Sequence, residues 1–173
     1  LDIIITDHHE CQQSLPNACA VINPKRNDSE YPFKELAGVG VTFKLIHGLA
    51  MSWGNVATIW KYIDIVAIGT VADIVPLIDE NRIIEKNAFN TIPSTWNIGL
   101  ANLLEITGNK DKKLTSGIIG FQIAPRLNAI GRLGGAKKGV ELFITTSQET
   151  AKEIVTELNE ENNDLAVSII WRD

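Results

Sequence analysis

The sequence has few of the features that mark secreted or membrane proteins. Within its 173 residues no apolar run approaches the roughly 20 residues that span a bilayer, and no basic, apolar signal peptide stands at the start. The two cysteines, Cys11 and Cys19, are too few for a disulfide framework. We therefore expect free thiols in a reducing cytoplasm and no membrane partner.

Basic residues are also scarce, because 21 acids outnumber 16 lysines and arginines and give a net charge of −5. An acidic chain argues at first against a nucleic-acid partner. The distribution reverses that conclusion, since residues 110–138 carry seven basic side chains and one acid, which is typical of a phosphate-binding strip. A solvated helix face is a competing interpretation for the lysines, and it explains the two arginines less well. The seven are Lys110, Lys112, Lys113, Arg126, Arg132, Lys137 and Lys138.

An apolar run near the start is followed directly by an acid and two histidines. Residues 3–5 are three isoleucines, a pattern that predicts a strand buried on both faces of a parallel sheet. Asp7, His8 and His9 would then lie at the carboxyl edge, where ligands gather in such sheets. Two of the three histidines of the chain stand here, which favours a site for a divalent metal and a phosphate over a solvated turn.

A second acid, Asp73, stands among apolar neighbours after a predicted helix. Asn55 is a candidate cap for that helix, and Gly69 is its predicted end. Pro76 prevents a simple continuation of the helix beyond the acid. A carboxylate in these surroundings needs a partner, because burying an unpaired charge is costly. A metal ion would be such a partner, and so would a helix cap or a buried ion pair.

Hydrophobic spacing predicts the other elements. A second short strand covers residues 20–24, and a helix covers residues 36–51, on which His47 is a packing or surface residue. The fold class is therefore α/β, with a parallel sheet flanked by helices and followed by a long connecting helix. Further helices are predicted at about 80–91 and about 98–107, from Thr115 to Ile123 with a disruption near Pro125, and from Thr146, which has capping-box spacing to Glu149.

Two more segments resemble motifs of the DHH phosphoesterase superfamily. Residues 64–77, DIVAIGTVADIVPL, resemble its last metal-binding motif. Residues 120–133, GFQIAPRLNAIGRL, resemble the stretch that follows the DHH domain in RecJ-type single-strand-specific exonucleases. Position 130 is Ile where the family has a small residue, which is a minor departure. With the tripeptide at residues 7–9, the segments cover nearly the whole chain in the order that the family shows.

The resemblance implies a metal centre of the kind that cleaves phosphodiesters with two ions. His8 and Asp73 would be ligands of one divalent ion, Mn²⁺ or Mg²⁺. Asp7 would orient an imidazole. His9 would face the scissile phosphate. The family's earlier acidic motifs, an Asp-x-Asp pair and a further Asp, would lie upstream of Leu1.

The resemblance also implies a path for single-stranded DNA. Arg126, Asn128 and Arg132 would lie along it, and the two arginines would make forked phosphate contacts. It implies a chain with three parts, of which the first is a partial DHH domain. These are the C-terminal part of the DHH domain at residues 1–110, a helical DNA-path segment at 111–145 and a connecting helix at 146–173.

The resemblance implies that the chain is part of a metal-dependent exonuclease. This enzyme would remove nucleotides from the 5′ end of single-stranded DNA in repair and recombination. Both chain ends fall inside predicted elements, so we expect an excised piece that is inactive alone and self-associates through an uncovered sheet edge. Another DHH hydrolase, an oligoribonuclease or a cyclic-dinucleotide phosphodiesterase, would share the first two motifs but not residues 120–133. A non-catalytic DHH-derived scaffold that binds DNA or proteins is the third alternative, and the presence of His8 and Asp73 argues against it.

Overall fold

The chain divides into two units, Leu1–Ala88 and Phe89–Asp173. Each has its own buried apolar residues. The structure is a computed structural model, whose backbone is described for residues 1–12, 14–132 and 136–170 and whose side chains are described for residues 1–12, 14–129 and 136–162.

The first unit contains a parallel sheet of two strands, β1 (Ile4–Thr6) and β2 (Ala20–Ile22). Thr6 pairs with Ile22, so both strands end at the same edge of the sheet. The backbone N–H of Asp7 donates to the carbonyl of Ile22 at 3.0 Å and extends the pairing by one residue. The predicted parallel sheet is confirmed, and the polar residues that follow the two strands meet at its carboxyl edge.

The burial of β1 differs from the expectation. The side chain of Ile3 is 50% exposed and that of Ile4 is 56% exposed, so the run is not buried on both faces. Among the described residues β1 pairs with β2 alone, and helix α1 (Gly38–Ser52) packs against it. The unpaired edge of β1 leaves these isoleucines in contact with solvent.

Helices α1 and α2 (Ile63–Ala72) pack against each other in this unit. Gly69 lies at their contact, since a Cβ at this position would stand 2.8 Å from Cγ1 of Val39. The prediction that Gly69 ends the helix is wrong, because α2 continues to Ala72 and the missing side chain instead allows close packing. The buried apolar residues of the two helices include Val41, Phe43, Ile63, Val66, Ala67 and Ile68.

The segment before α2 also differs from the prediction. A 3₁₀-helix covers Val56–Tyr62, and the side chain of Asn55 makes no capping hydrogen bond. The hydroxyl of Thr58 donates to the carbonyl of Asn55 at 2.9 Å, a bond within the first turn. Helix α3 follows at Asp79–Thr91.

The second unit is helical throughout its regular, described elements. Helix α8 (Gln148–Ile170) packs against α4 (Ile98–Ile106) and α6 (Ala124–Arg132), and its residues Ala151, Ile154, Val155 and Leu158 are buried. The elements are a 3₁₀-helix (Ile92–Ser94), α4 (Ile98–Ile106), α5 (Ser116–Ile118), a π-helix (Ile119–Ile123), α6 (Ala124–Arg132), α7 (Ala136–Ile144) and α8 (Gln148–Ile170).

The chain is not broken at Pro125, which lies in the first turn of α6. The N–H of Ala124 donates to the carbonyl of Ile119, which is the five-residue spacing of a π-helix. A proline has no N–H, and its ring crowds the preceding turn, so a wider turn accommodates it. The disruption predicted near Pro125 is therefore a π-helical turn inside a continuous helical stretch.

The start of α8 lies one residue later than predicted. The hydroxyl of Ser147 accepts the N–H of Thr150 at 3.2 Å, and the Ser147 carbonyl accepts the N–H of Ala151. Ser147, and not Thr146, therefore caps α8, and the predicted Thr146–Glu149 capping box is wrong. Thr146 and Ser147 are both hydroxyl residues able to cap a helix, and the Ser147 hydroxyl is the one that accepts an N–H of the first turn.

Two global expectations can be compared with the structure. Both cysteines are free thiols, Cys19 exposed and Cys11 partly buried. In the described part of the chain, no helix combines the length and apolar character needed to cross a membrane.

Candidate functional site

The turn that follows β1 is organised by the carboxylate of Asp7. Its Oδ1 accepts the backbone N–H of His8 at 2.8 Å and that of His9 at 3.3 Å. The same oxygen lies 2.7 Å from Nδ1 of the His9 ring. This hydrogen bond from His9 lowers the pKa of Asp7, while burial acts in the opposite direction. Of the two imidazoles, it is therefore His9 that Asp7 holds, and the His9 side chain is 77% exposed.

His8 contacts a different acid. Its Nε2 lies 3.3 Å from Oδ2 of Asp73, and the two side chains are 17% and 38% exposed. The predicted convergence of His8 and Asp73 is confirmed. Asp73 directly follows α2, where the partial negative charge of the helix end disfavours a carboxylate unless a cation is near.

The donor atoms of His8 and Asp73 fit a shared divalent ion. Neighbouring ligands of an octahedral ion with bonds of about 2.1 Å stand about 3 Å apart. The observed 3.3 Å is close to that separation, and one imidazole nitrogen with one carboxylate oxygen suits Mn²⁺. Among the described residues, no group of three or more His, Cys, Asp or Glu side chains is arranged to hold a metal ion. The described chain thus offers two candidate metal ligands at this point.

The first residue of α1 lies against the His8 ring. A Cβ at Gly38 would stand 3.3 Å from Cδ2 of His8, tighter than an ordinary contact. The residue before it, Ala37, provides no side-chain cap, and the first turn of α1 contains no acid. The hydroxyl of Thr6 at the end of β1 lies 3.0 Å from that of Thr42 on α1, which ties the strand to the helix. The positive end of α1 therefore lies beside the metal-ligand candidates, where it favours negative charge.

The turn after Asp73 is strained. Ile74 has a φ of 58°, in the left-handed region where a β-branched residue costs roughly 1–2 kcal/mol. Ile74 is 90% exposed within the described part of the chain, so no burial of its side chain offsets that cost. The N–H of Ile74 donates to the carbonyl of Val71 at 3.2 Å, a bond that closes the turn through Asp73 after α2 has ended at Ala72.

Sequence reasoning missed one residue of the site, the buried Asn23. Its Nδ2 donates to the carbonyl of His9 at 2.8 Å, and its Oδ1 accepts the N–H of Lys25 at 2.9 Å. The available signal was an Asn-Pro pair placed directly after β2. An open cavity of about 560 Å³, within the range of small-molecule sites, is lined by Asp7, His9 and Asn23 together with apolar residues of the strands and both polar and apolar residues of the loop after His9.

The third histidine is a packing residue, as predicted. The His47 ring lies 6.3 Å from that of Phe43 and 5.8 Å from that of Trp60, measured between centroids. These contacts place His47 in an aromatic cluster on α1 and the 3₁₀-helix.

In the second unit, two lysines of the basic stretch are paired with acids. Nζ of Lys110 lies 3.1 Å from Oε2 of Glu105, and Nζ of Lys138 bonds to Oε2 of Glu157. Carboxylates thus compensate part of the local positive charge. This pairing supports the solvated-face interpretation for these two lysines.

Arg126 has different surroundings. Its Nε donates to Oδ1 of Asn159 at 2.9 Å, and its Nη1 donates to the carbonyl of Gln122 at 2.5 Å. Burial lowers the pKa of the guanidinium. Asn128 is exposed on the same helix, and the side chain of Arg132 lies outside the described residues.

Comparison with known proteins agrees with the motifs. Residues 1–70 match the DHH family, N-terminal domain. Over 164 residues the chain is 42% identical to the single-stranded-DNA-specific exonuclease RecJ of Bacillus subtilis. The aligned region covers 95% of this chain and 20% of that relative. The chain is 38% identical over 170 residues to RecJ of Salmonella typhimurium, covering 92% of this chain and 30% of the relative.

Solved structures give the same result. A crystal structure of RecJ with Mn²⁺ from Thermus thermophilus has a TM-score of 0.82 at 33% identity, covering 95% of this chain and 24% of that one. An exonuclease RecJ bound to manganese has a TM-score of 0.84 at 34% identity, covering 94% of this chain and 40% of that one. The resemblance and the α/β fold expected from the sequence are confirmed. The chain spans 20 to 30% of the length of the two curated relatives described above.

Proposed function

We propose, from the match of residues 1–70 to the DHH family, N-terminal domain, that this chain is part of a metal-dependent exonuclease acting on single-stranded DNA from the 5′ end. The observation that carries the proposal is the 3.3 Å approach of His8 Nε2 to Asp73 Oδ2 at the carboxyl edge of a parallel sheet. Two relatives named single-stranded-DNA-specific exonucleases support the substrate class, and DNA repair and recombination are the processes we assign to it.

His8 and Asp73 would hold one ion, Mn²⁺ or Mg²⁺, the metals found in RecJ structures from Thermus thermophilus. When bound, such an ion supplies positive charge to a phosphoryl oxygen and makes water a better nucleophile. The protein's own contribution is to keep the two donor atoms together before the ion arrives. The contact of Gly38 with the imidazole and the strained turn at Ile74 both restrict how these side chains move.

His9 and Asp7 would act on the phosphate side of the site. The carboxylate of Asp7 lies 2.7 Å from Nδ1 of His9 and would hold the ring in one orientation. The other nitrogen, Nε2, then lies on the exposed side of the ring, where a scissile phosphate could accept a hydrogen bond from it. Asn23 fixes the His9 backbone through its carbonyl and thereby helps to hold this orientation.

Arg126, Asn128 and Arg132 would contact the DNA strand. The exposed Asn128 and the guanidinium of Arg126 lie on one helix, and each arginine can donate two parallel hydrogen bonds to a phosphate. The corresponding division is a DHH part at residues 1–110, a DNA-path segment at 111–145 and a connecting helix at 146–173. The two free thiols are consistent with a cytoplasmic location, which is part of the proposal.

The proposal includes the behaviour of the 173 residues alone. Two protein ligands hold a divalent ion weakly, so the chain by itself would bind the metal poorly and cleave little DNA. Further ligands would come from acids elsewhere in the full-length gene product. The second ion of a two-metal site would depend on them.

A substrate series on the full-length gene product tests the proposed activity. Single-stranded DNA of 5, 20 and 60 nucleotides, a short RNA and a cyclic dinucleotide would be digested with Mn²⁺. We expect release of mononucleotides from the 5′ end of the longer DNA strands. Preference for the short RNA or the cyclic dinucleotide would contradict the proposal and favour another DHH phosphodiesterase. Binding of DNA without cleavage would favour a non-catalytic scaffold.

A further inference from the structure

The guanidinium of Arg126 is held only by oxygens without formal charge. Its two hydrogen bonds go to an amide oxygen and a backbone carbonyl, and it makes no salt bridge within the described residues. The other two arginines with described side chains each lie on a carboxylate. Arg26 bonds to Asp28 at 2.6 Å, and Arg82 bonds to Glu85 at 2.5 Å. Among these three, Arg126 alone keeps its positive charge uncompensated by a paired acid.

One of the two acceptors comes from the π-helical turn. Residues 119–123 form this turn, which widens the helix ahead of Pro125. A π-turn departs from the regular carbonyl pattern of an α-helix and is often found at functional positions. Here the Gln122 carbonyl accepts Nη1 of Arg126, so the turn supplies a fixed neutral acceptor four residues before the arginine.

The other acceptor is a neutral residue in an acidic stretch of α8. Asn159 follows Glu157 by two residues and directly precedes Glu160 and Glu161. Because a guanidinium only donates hydrogen bonds, the amide oxygen of Asn159 must face it. An acid at this position would form a salt bridge and cancel the charge of Arg126. Asparagine keeps the hydrogen bond and leaves the charge available.

The geometry points to Asn159 as a positioning residue for Arg126. Together with the Gln122 carbonyl it fixes the guanidinium without neutralising it. The two bonds use two of the five N–H donors, so three stay available for one phosphate of single-stranded DNA. Partial burial strengthens the attraction of the fixed charge for that phosphate. This inference rests on the proposed DNA contact of Arg126.

A measurement without DNA tests the positioning itself. In the 173-residue chain, exchange of the Arg126 Nε proton with solvent can be followed by ¹⁵N NMR. Asn159→Ala should speed that exchange by about fivefold, the factor that one net hydrogen bond is worth. Asn162→Ala, which removes an amide from the same helix, is the matched control and should leave the rate unchanged. An unchanged rate in Asn159→Ala would overturn the inference.

Salt-dependent binding separates positioning from charge. For the full-length gene product and a fluorescent oligo(dT), Asn159→Ala should weaken binding about fivefold while keeping the salt slope, since the charge remains. Asn159→Asp should lower the slope by about 0.7, the value of one phosphate contact on a single strand, because the new acid neutralises Arg126. Thr156→Asp adds the same charge at an exposed position of α8 and should change the slope less.

Arg126→Ala makes the two possible failures distinguishable. In its background Asn159→Asp should have no further effect, because coupled residues are not additive. If Arg126→Ala binds DNA like the wild type, the proposed DNA contact is wrong. If Arg126→Ala weakens binding but Asn159→Ala and Asn159→Asp both keep the wild-type affinity and slope, the positioning role is wrong and the DNA contact stands. Circular dichroism of each variant checks that the helix content is unchanged.

Discussion

Nε2 of His8 lies 3.3 Å from Oδ2 of Asp73, although a strand, two α-helices and a 3₁₀-helix separate these residues in the sequence. The contact exists because β1 and α2 both end at the same region of the first unit. Gly38, the first residue of α1, lies against the Cδ2 edge of the same imidazole. The position of His8 thus depends on β1, on α2 and on α1.

Gly38→Ala should disturb the proposed metal ligand His8 without unfolding the protein. The new methyl group would lie 3.3 Å from Cδ2 of His8, so the ring must move by a few tenths of an ångström. We expect Mn²⁺ affinity in the full-length gene product to fall about tenfold, the lower end of the range for losing a group that orients a ligand. Isothermal titration calorimetry measures this change.

Gly48→Ala is the matched control for this prediction. It lies on the same helix, and a Cβ there would meet no atom within 4 Å. This variant should keep its metal affinity and gain roughly 0.5–1 kcal/mol of stability, because alanine is the better helix former. Equal metal affinities in the two variants would show that the contact of Gly38 with His8 has no functional weight.

Asp7→Asn should change how stability depends on pH. The hydrogen bond from His9 lowers the pKa of Asp7 below its ordinary value of 3.8 in the folded state. A lowered folded pKa adds stability above the unfolded pKa, and this stability is lost as the pH falls through the folded value. Thermal unfolding should therefore show Asp7→Asn less stable than the wild type near neutral pH.

The difference between Asp7→Asn and wild type should shrink as the pH is lowered below about 4. Asp111→Asn removes an exposed acid outside the site and serves as the control. A constant difference between Asp7→Asn and wild type from pH 7 to pH 3 would mean that the Asp7–His9 bond does not contribute through ionisation.

The isolated chain should self-associate through β1. Among the described residues this strand has one unpaired edge, and Ile3 and Ile4 beside it are at least half exposed. Such edges pair readily with other strands, and a lysine on the edge opposes that pairing. Light scattering should show dimers or larger species for the 173-residue chain and a shift toward monomer for Ile4→Lys. A wild-type chain that stays monomeric at high concentration would contradict this expectation.

Much of the first unit could be predicted because its signals are local. Three isoleucines followed by Asp7, His8 and His9 indicate a strand end, and a parallel partner brings the next strand end beside it. The convergence of His8 with Asp73 was predictable only through the family motifs. The spacing of the residues does not predict that the end of α2 lies beside the end of β1.

Other features depended on contacts that a sequence pattern does not record. Glycine is common at helix ends, which suggested that role for Gly69. Its actual role is to allow close packing against Val39 on a neighbouring helix. Thr146 and Ser147 both carry a hydroxyl that can cap a helix. The path of the backbone into α8 places the Ser147 hydroxyl at the first turn. The importance of Asn159 arises from Arg126, which lies on a different helix. In each case a tertiary contact decides among locally similar choices.

Titration of Mn²⁺ into the full-length gene product, followed by the electron paramagnetic resonance signal of the free ion, tests the central claim most directly. Both His8→Ala and Asp73→Ala should weaken Mn²⁺ binding by at least about tenfold and should abolish Mn²⁺-dependent release of nucleotides from single-stranded DNA. His47→Ala, which removes an imidazole from the aromatic cluster instead, should retain wild-type binding. If His8→Ala and Asp73→Ala bind Mn²⁺ as tightly as the wild type and His47→Ala, these two residues are not metal ligands.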